Sequence, residues 1–126
     1  MGPMQTFRPS YLMAFLLAAW VVLGPGPAGG HAIVLAAEPA VDAVVHGPST
    51  PVVLRFNSRL DHARSRLTLL RPDGSSAVLA LKDTGKHDTL AATIIGLAPG
   101  SYRLSWQVLA IDGHITRGNI PFKVAP

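Results

Sequence analysis

The chain of 126 residues contains no cysteine. This absence excludes a disulfide scaffold, a thiolate zinc site, an iron–sulfur cluster and a cysteine nucleophile. It also excludes a blue-copper centre, because such a centre requires a cysteine thiolate. Charged residues are scarce as well, at 14% of the chain, against about 25% in ordinary soluble domains. The scarcity indicates that part of the chain is not an ordinary soluble domain.

The first 30 residues account for much of that shortage. They carry one charged residue, Arg8, then an apolar run over residues 12–23 and a stretch of Gly, Pro and Ala. The run is shorter than the roughly 20 residues that span a bilayer, and this order of segments is typical of a secretory signal peptide. We expect cleavage after Gly30, a mature chain that begins at His31, export of that chain and no membrane insertion after cleavage. The alternatives are cleavage after Ala28 and an uncleaved membrane anchor.

Residues 31–126 are expected to form a single domain. They hold 10 Lys+Arg and 7 Asp+Glu, and a net charge of +3 without a basic run is too weak to predict nucleic-acid binding. All three methionines lie ahead of residue 31, whereas all five histidines remain in the expected domain. Any metal ligands in this domain are therefore nitrogen and oxygen atoms, not sulfur.

Short apolar runs and turns alternate along this domain. No stretch keeps the apolar spacing of three and four residues that a long helix requires. About seven short strands separated by frequent turns, with residues 51–60 as one of them, predict an antiparallel β-sandwich. The Pro-Asp-Gly-Ser sequence at 72–75 predicts one hairpin turn. Four aromatic residues fall on core-facing strand positions: Phe56, Tyr102, Trp106 and Phe122.

A histidine directly after the expected cleavage site is the first candidate metal ligand. The free α-amine of a mature His31 and its imidazole Nδ1 can close a six-membered chelate ring on one metal ion. An internal histidine cannot do this, because its backbone nitrogen is an amide. Both donors lose their protons at modest cost near neutral pH. The alternative is that His31 only marks where the signal peptide ends.

The sequence Asp112-Gly113-His114 supplies two further candidate ligands. Residues two apart on an extended segment face the same side, and Gly113 allows the backbone to bend so that both side chains converge. The alternative is an ordinary Asp-Gly hairpin turn followed by a polar residue. Strand ends of an antiparallel sandwich cluster at two poles, so His31 can meet Asp112 and His114 at one of them.

The combined donor set is one amine nitrogen, two imidazole nitrogens and one carboxylate oxygen. Such a set suits a tetragonal Cu(II) ion, which stands at the top of the divalent affinity order. Zn(II) can use the same ligands in a tetrahedral arrangement. The residues themselves favour copper and leave zinc open.

At these residues the sequence resembles the CopC family of periplasmic copper-resistance and copper-carrier proteins. The resemblance covers essentially all of residues 31–126. The matching motifs are His31-Ala32, Glu38-Pro39-Ala40, Leu54-x-Phe56, Pro99-Gly100-Ser101-Tyr102-x-Leu104-x-Trp106, Asp112-Gly113-His114 and Gly118-x-x-x-Phe122-x-Val124. The resemblance implies a Greek-key β-sandwich, cupredoxin-like or immunoglobulin-like, that binds one Cu(II) per chain through His31, Asp112 and His114.

Two features depart from the family pattern. Some members hold Cu(I) in a methionine-rich loop, and this chain has no methionine beyond residue 30. Many members carry an acidic residue near the copper, shortly after the phenylalanine of the third strand. Here the stretch is Phe56-Asn57-Ser58, so that carboxylate is missing unless Asp61 replaces it.

The three remaining histidines are weaker candidates. His46 precedes Gly-Pro and His87 lies in a polar stretch, so both are expected to be exposed. His62 is a candidate for the surroundings of the metal, with an exposed loop position as the alternative. No strained Ser turn of the G-x-S-x-G type occurs, and we expect no catalytic residues.

The leading hypothesis is a periplasmic Cu(II)-binding carrier or chaperone in copper resistance and homeostasis, and not an enzyme. The resemblance implies one further partner, an inner-membrane copper permease of the CopD type. Two alternatives remain. One is a copper oxidase that activates oxygen through the N-terminal histidine, and the other is a metal-free immunoglobulin-like accessory module.

Overall fold

A computed structural model describes residues 2–4 and 31–126. The predicted signal peptide falls almost entirely outside the described residues and stays a prediction. The described residues contain no helix, and so none that is long and apolar enough to cross a membrane. They form eight strands, where about seven were expected: β1 (Val34–Glu38), β2 (Ala43–Val45), β3 (Ser49–Phe56), β4 (Leu60–Leu70), β5 (Ser76–Val78), β6 (Thr89–Ile95), β7 (Gly100–Ala110) and β8 (Ile115–Val124).

The strands form two sheets around a common core. Strands β1, β3 and β6 make an antiparallel three-stranded sheet, and the order β2-β8-β7-β4-β5 makes a five-stranded sheet. The expected antiparallel β-sandwich is confirmed with one exception, because β2 runs parallel to β8. The chain crosses from β1 in one sheet to β2 at the edge of the other, where the Asp42 N–H donates to the Pro121 carbonyl at 2.7 Å. This crossing lays β2 alongside β8 in the same direction.

Alternate side chains of the central strands fill the space between the sheets. In β3 every second residue is buried, ending at Phe56, as a repeat of two residues requires. The four aromatic residues predicted for the core are all buried. Phe56 contacts Trp106 edge-on with ring centroids 5.1 Å apart, and Tyr102 stacks on Phe122 at 5.6 Å. Burial of this apolar surface is the main favourable term that stabilises the sandwich.

The segment expected as one strand, residues 51–60, divides in two. Residues 57–59 carry the chain from the three-stranded sheet to the five-stranded sheet, so β3 and β4 are separate. Beyond that connection β4 has a bulge after Asp61. There the Ser65 hydroxyl donates to the Asp61 carbonyl at 2.7 Å and accepts the N–H of Leu109 at 3.1 Å. These bonds satisfy backbone groups that the interrupted strand pairing leaves without partners.

The hairpin between β4 and β5 confirms the turn predicted at residues 72–75. Gly74 has φ +86°, a left-handed conformation that glycine adopts without strain. The Arg71 N–H donates to the Ser75 carbonyl at 2.8 Å. The Ser75 hydroxyl and N–H both donate to Asp73 Oδ1, and these bonds lower the pKa of Asp73 below its ordinary value.

The β7–β8 hairpin places Gly118 directly opposite Trp106. The indole lies against the glycine so closely that a Cβ there would stand 2.3 Å from Trp106 Cζ2. Trp106 and Gly118, which belong to two of the motifs that resemble the CopC family, are thus packing partners. They lie in the same hairpin whose turn carries Asp112 and His114.

Candidate metal centre

The turn between β7 and β8 carries two of the predicted ligands, Asp112 and His114. It comprises residues 111–114 and is closed by two backbone hydrogen bonds. The Ala110 N–H donates to the His114 carbonyl at 2.9 Å, and the Gly113 N–H donates to the Ala110 carbonyl at 2.9 Å. Gly113 has φ +93°, which explains why glycine suits this position. The Asp-Gly hairpin turn, which was the alternative to a metal-binding pair, is therefore present, and it exposes both side chains at one pole of the sandwich.

Asp112 and His114 contact each other on the solvent side of this turn. Asp112 Oδ1 accepts the backbone N–H of His114 at 3.1 Å and lies 3.2 Å from His114 Nδ1. The backbone hydrogen bond, assisted by the ring, lowers the pKa of Asp112 below its ordinary value. The carboxyl is therefore ionised at neutral pH and attracts cations. The Asp112 and His114 side chains are 43% and 52% exposed, so an ion reaches them from solvent.

The segment that begins at His31 is held at the same pole. Ala32 is only 3% exposed and packs into the core, and its N–H donates to Thr116 Oγ1 at 3.2 Å. Ile33 and Asn57 exchange two hydrogen bonds. The Ile33 N–H donates to Asn57 Oδ1 at 2.8 Å, and the Asn57 N–H donates to the Ile33 carbonyl at 3.0 Å. These contacts fix the chain directly after His31 beside the start of β8.

The imidazole rings of His31 and His114 consequently lie near each other. Their centroids are 6.3 Å apart and their planes are tilted by 58°. Metal–nitrogen bonds of ~2.0–2.1 Å place two imidazole rings on opposite sides of one ion at a centroid separation of this order. Adjacent ligands of a tetragonal ion stand about 2.9 Å apart, close to the 3.2 Å between Asp112 Oδ1 and His114 Nδ1. These two separations, ring to ring and Asp112 to His114, are each of the size that ligands of one tetragonal ion show.

The side chains at this pole do not complete a site by themselves. Within residues 2–4 and 31–126, no group of three or more His, Asp and Glu side chains forms a metal site. The pair Asp112 and His114 is in contact, and the His31 ring stands farther away. A metal site here needs a further donor atom. The sequence analysis predicts the main-chain nitrogen of His31 as that donor.

In the stretch where the acidic residue is missing, the side-chain oxygen of Asn57 accepts the Ile33 N–H. Asp61, the expected substitute, is engaged elsewhere. Its Oδ1 accepts the Arg64 N–H at 3.2 Å, and its Oδ2 lies 3.4 Å from Arg64 Nη1. The structure therefore gives no support to Asp61 as an additional ligand.

The other histidines lie apart from this cluster. His46 and His87 are exposed, as expected. His62 is half-buried within β4 and not on an exposed loop, and its Nε2 lies 2.8 Å from the Thr89 carbonyl oxygen. His62 and His87 line an open cavity of about 480 Å³ that includes none of the three predicted ligands.

Sequence reasoning missed two residues of this pole, Thr116 and Asn57. Both side chains accept hydrogen bonds from backbone N–H groups far away in the sequence. Threonine in a strand and asparagine after one are common everywhere, so neither residue carries a signal before the tertiary contacts are known.

The fold and this cluster define a β-sandwich domain with a candidate nitrogen-and-oxygen metal centre at one pole. The CopC domain matches residues 34–125 of the chain. The chain therefore belongs to the CopC family, as the motifs in its sequence indicate.

The chain is also similar to two solved structures and to one further protein. CopC from Methylosinus trichosporium OB3b superimposes with a TM-score of 0.70 at 31% identity and covers 76% of this chain and 95% of that chain. PcoC from Escherichia coli, described as a methionine-rich copper resistance protein, has a TM-score of 0.57 at 26% identity and covers 75% of this chain and 99% of that one. Protein YobA of Escherichia coli K12 is 25% identical over 97 residues, which are 75% of this chain and 78% of YobA.

Proposed function

We propose that this protein binds one Cu(II) ion per chain and carries it in the periplasm as part of copper resistance and homeostasis. The observation that supports the proposal is the placement of the His31 ring 6.3 Å from the His114 ring, with Asp112 alongside, in a CopC-family sandwich. The name of the relative PcoC as a copper resistance protein points to the same metal. Copper is the cargo, and no residue is assigned a catalytic role.

Each of the three residues has its own part in the proposed site. After cleavage following Gly30, His31 binds through its α-amine and its imidazole, which form one chelate ring. His114 adds a second imidazole nitrogen. Asp112 adds a carboxylate oxygen, whose negative charge offsets part of the charge of the ion. This set of three nitrogens and one oxygen is the kind that Cu(II) prefers in tetragonal geometry.

The proposed oxidation state follows from the absence of sulfur. Residues 31–126 contain neither Cys nor Met, and soft sulfur ligands are those that select Cu(I). We therefore expect Cu(II) to be the form carried, in contrast to what a methionine-rich relative suggests. The half-exposed ligands leave the ion open to a recipient. For that recipient we propose an inner-membrane copper permease of the CopD type.

A copper titration of the exported protein tests the proposal. The full-length chain is expressed, and the intact mass of the exported product should show a start at His31. That product should take up one equivalent of Cu(II), remain pale, and give the EPR spectrum of a tetragonal type 2 site. It should also prefer Cu(II) over Zn(II) in competition. A different start, an intense blue band, equal or tighter zinc binding or the absence of copper binding would each contradict the proposal.

The same preparation separates a carrier from a copper oxidase. The copper-loaded protein is incubated with a reductant and hydrogen peroxide, and peroxide is followed over time. A carrier should show no more consumption than the same concentration of copper bound to a small chelating peptide. Sustained, copper-dependent turnover above that control would favour the oxidase instead.

A further inference from the structure

Two side chains that are not predicted ligands, Thr116 and Asn57, hold the segment that follows His31. We propose that they are positioning residues, which keep the His31 imidazole beside His114 and so set the affinity of the site for Cu(II). This inference rests on the function proposed above. It assigns these residues an indirect part, through the backbone of Ala32 and Ile33, and no direct contact with the metal.

Thr116 ties the segment to the five-stranded sheet. It lies in β8, two residues beyond His114, and its backbone is paired with Val108 of β7. Its Oγ1 accepts the Ala32 N–H at 3.2 Å, while the Ala32 side chain is 3% exposed within the core. Neighbouring Cα atoms are ~3.8 Å apart. Because Ala32 is held in place, the Cα of His31 must therefore stay within that distance of it, near the start of β8.

Asn57 ties the next residue to the other sheet. It directly follows β3, and it exchanges two hydrogen bonds with Ile33 at 2.8 and 3.0 Å. The side chain of Asn57 is exposed, so its part is to direct the backbone and not to fill the core. The segment is therefore bound to both sheets at the open pole of the sandwich.

This double attachment matters because the two halves of the site lie at opposite ends of the domain sequence. His31 opens residues 31–126, whereas Asp112 and His114 lie close to the C-terminus. A freely moving N-terminal residue loses conformational freedom when it binds a metal, and that loss weakens binding. A segment that is already held at the site avoids most of this cost. Removing such an outer partner commonly weakens metal binding 10–100-fold.

The decisive comparison is Thr116→Val against Thr116→Ser. Valine keeps the shape of the side chain and removes the acceptor, whereas serine keeps the hydroxyl and removes a methyl group. Each variant is exported from the full-length chain and its start at His31 is checked by mass. Thr116→Val should bind Cu(II) about 10–100-fold more weakly in chelator competition and give an altered type 2 EPR spectrum. Thr116→Ser should stay near the native values.

Two further variants complete the design. Thr68→Val makes the same chemical change in β4 of the same sheet, opposite Ser105 and away from the turn, and should leave copper binding unchanged. Asn57→Ala removes the acceptor of the Ile33 N–H at an exposed position where no core packing is lost. It should weaken copper binding in the same direction as Thr116→Val, with a smaller change in melting temperature.

A measurement without copper tests the attachment directly. In the metal-free protein, NMR should show faster amide hydrogen exchange at Ala32 in Thr116→Val, and native exchange in Thr116→Ser. Native amide exchange at Ala32 in both variants would overturn the inference. A native copper affinity and EPR spectrum in Thr116→Val would overturn it as well. So would an equal loss of copper affinity in Thr116→Val and Thr116→Ser. If the native protein itself binds no Cu(II), the proposed function fails, and the exchange rates still decide whether Thr116 holds the segment.

Discussion

Substituting alanine for Gly118 tests the closest packing contact of the hairpin that carries Asp112 and His114. The new Cβ would stand 2.3, 2.5 and 2.8 Å from Cζ2, Cε2 and Nε1 of Trp106. Carbon atoms in non-bonded contact stay about 3.5–4.0 Å apart, so one of the two groups must move by about 1 Å. Gly118 has no left-handed φ, and the cost therefore comes from steric overlap alone.

Trp106 has little room to move away. It is 7% exposed, and its ring meets Phe56, itself 1% exposed, edge-on at 5.1 Å. Forcing additional volume into a packed core costs about 1–3 kcal/mol. We expect Gly118→Ala to cost about 2 kcal/mol, because the new Cβ overlaps a rigid ring. For a domain of this size each kcal/mol lowers Tm by roughly 4–8 °C. We expect Gly118→Ala to lower Tm by roughly 8–16 °C.

Thermal unfolding followed by circular dichroism, with near-ultraviolet spectra for the environment of Trp106, measures this effect. Gly85→Ala is a matched control, since Gly85 has φ +70° and open space around it. Gly85→Ala should lower stability through backbone strain alone, by about 1–2 kcal/mol. It should leave the near-ultraviolet spectrum unchanged, whereas Gly118→Ala should alter it.

The same substitution in a Trp106→Leu background isolates the cause. Leucine has no atoms where Cζ2, Cε2 and Nε1 of the indole lie, so Gly118→Ala should cost much less there than beside tryptophan. A Tm within about 2 °C of the native value for Gly118→Ala alone would contradict the predicted overlap. An equal cost in both backgrounds would contradict it as well.

Three further predictions concern the site and the core. Placing one Ala ahead of His31 should weaken Cu(II) binding nearly as much as His31→Ala, because the nitrogen beside the retained imidazole becomes an amide. His114→Ala should weaken binding by more than 10–100-fold, and Asp112→Asn by less than His114→Ala, because the amide keeps an oxygen donor. Chelator competition measures these affinities. Tyr102→Phe should cost about 1 kcal/mol, because it removes the 2.6 Å hydrogen bond to the Ala98 carbonyl, and thermal unfolding measures that loss.

The ligand variants share one control, the Tm of the metal-free protein. His31, Asp112 and His114 are exposed, so their substitution should leave this Tm close to the native value. Copper binding by the Ala-extended protein as tight as that of the native one would show that the amine is not a ligand. A Tyr102→Phe variant with native Tm would show that the hydroxyl contributes nothing to stability.

The fold class was predictable because its signals are local. Apolar residues that alternate along a strand, as they do up to Phe56 in β3, fix which face meets the core whatever the partner strand is. The turn at residues 72–75 was predictable for the same reason, since Gly74 permits the required backbone conformation. The direction of β2 was not, because three apolar residues carry no information about the strand beside them.

For the candidate site, the donor chemistry was predictable from the residues alone. A histidine after an expected cleavage site, an Asp-x-His pair and the absence of sulfur in residues 31–126 are all readable without coordinates. Tertiary packing sets the 6.3 Å separation of the His31 and His114 rings and brings Thr116 and Asn57 to the backbone of Ala32 and Ile33. Hydrogen bonds between residues distant in sequence form only after the two sheets have packed, and no local pattern records which groups that packing brings together.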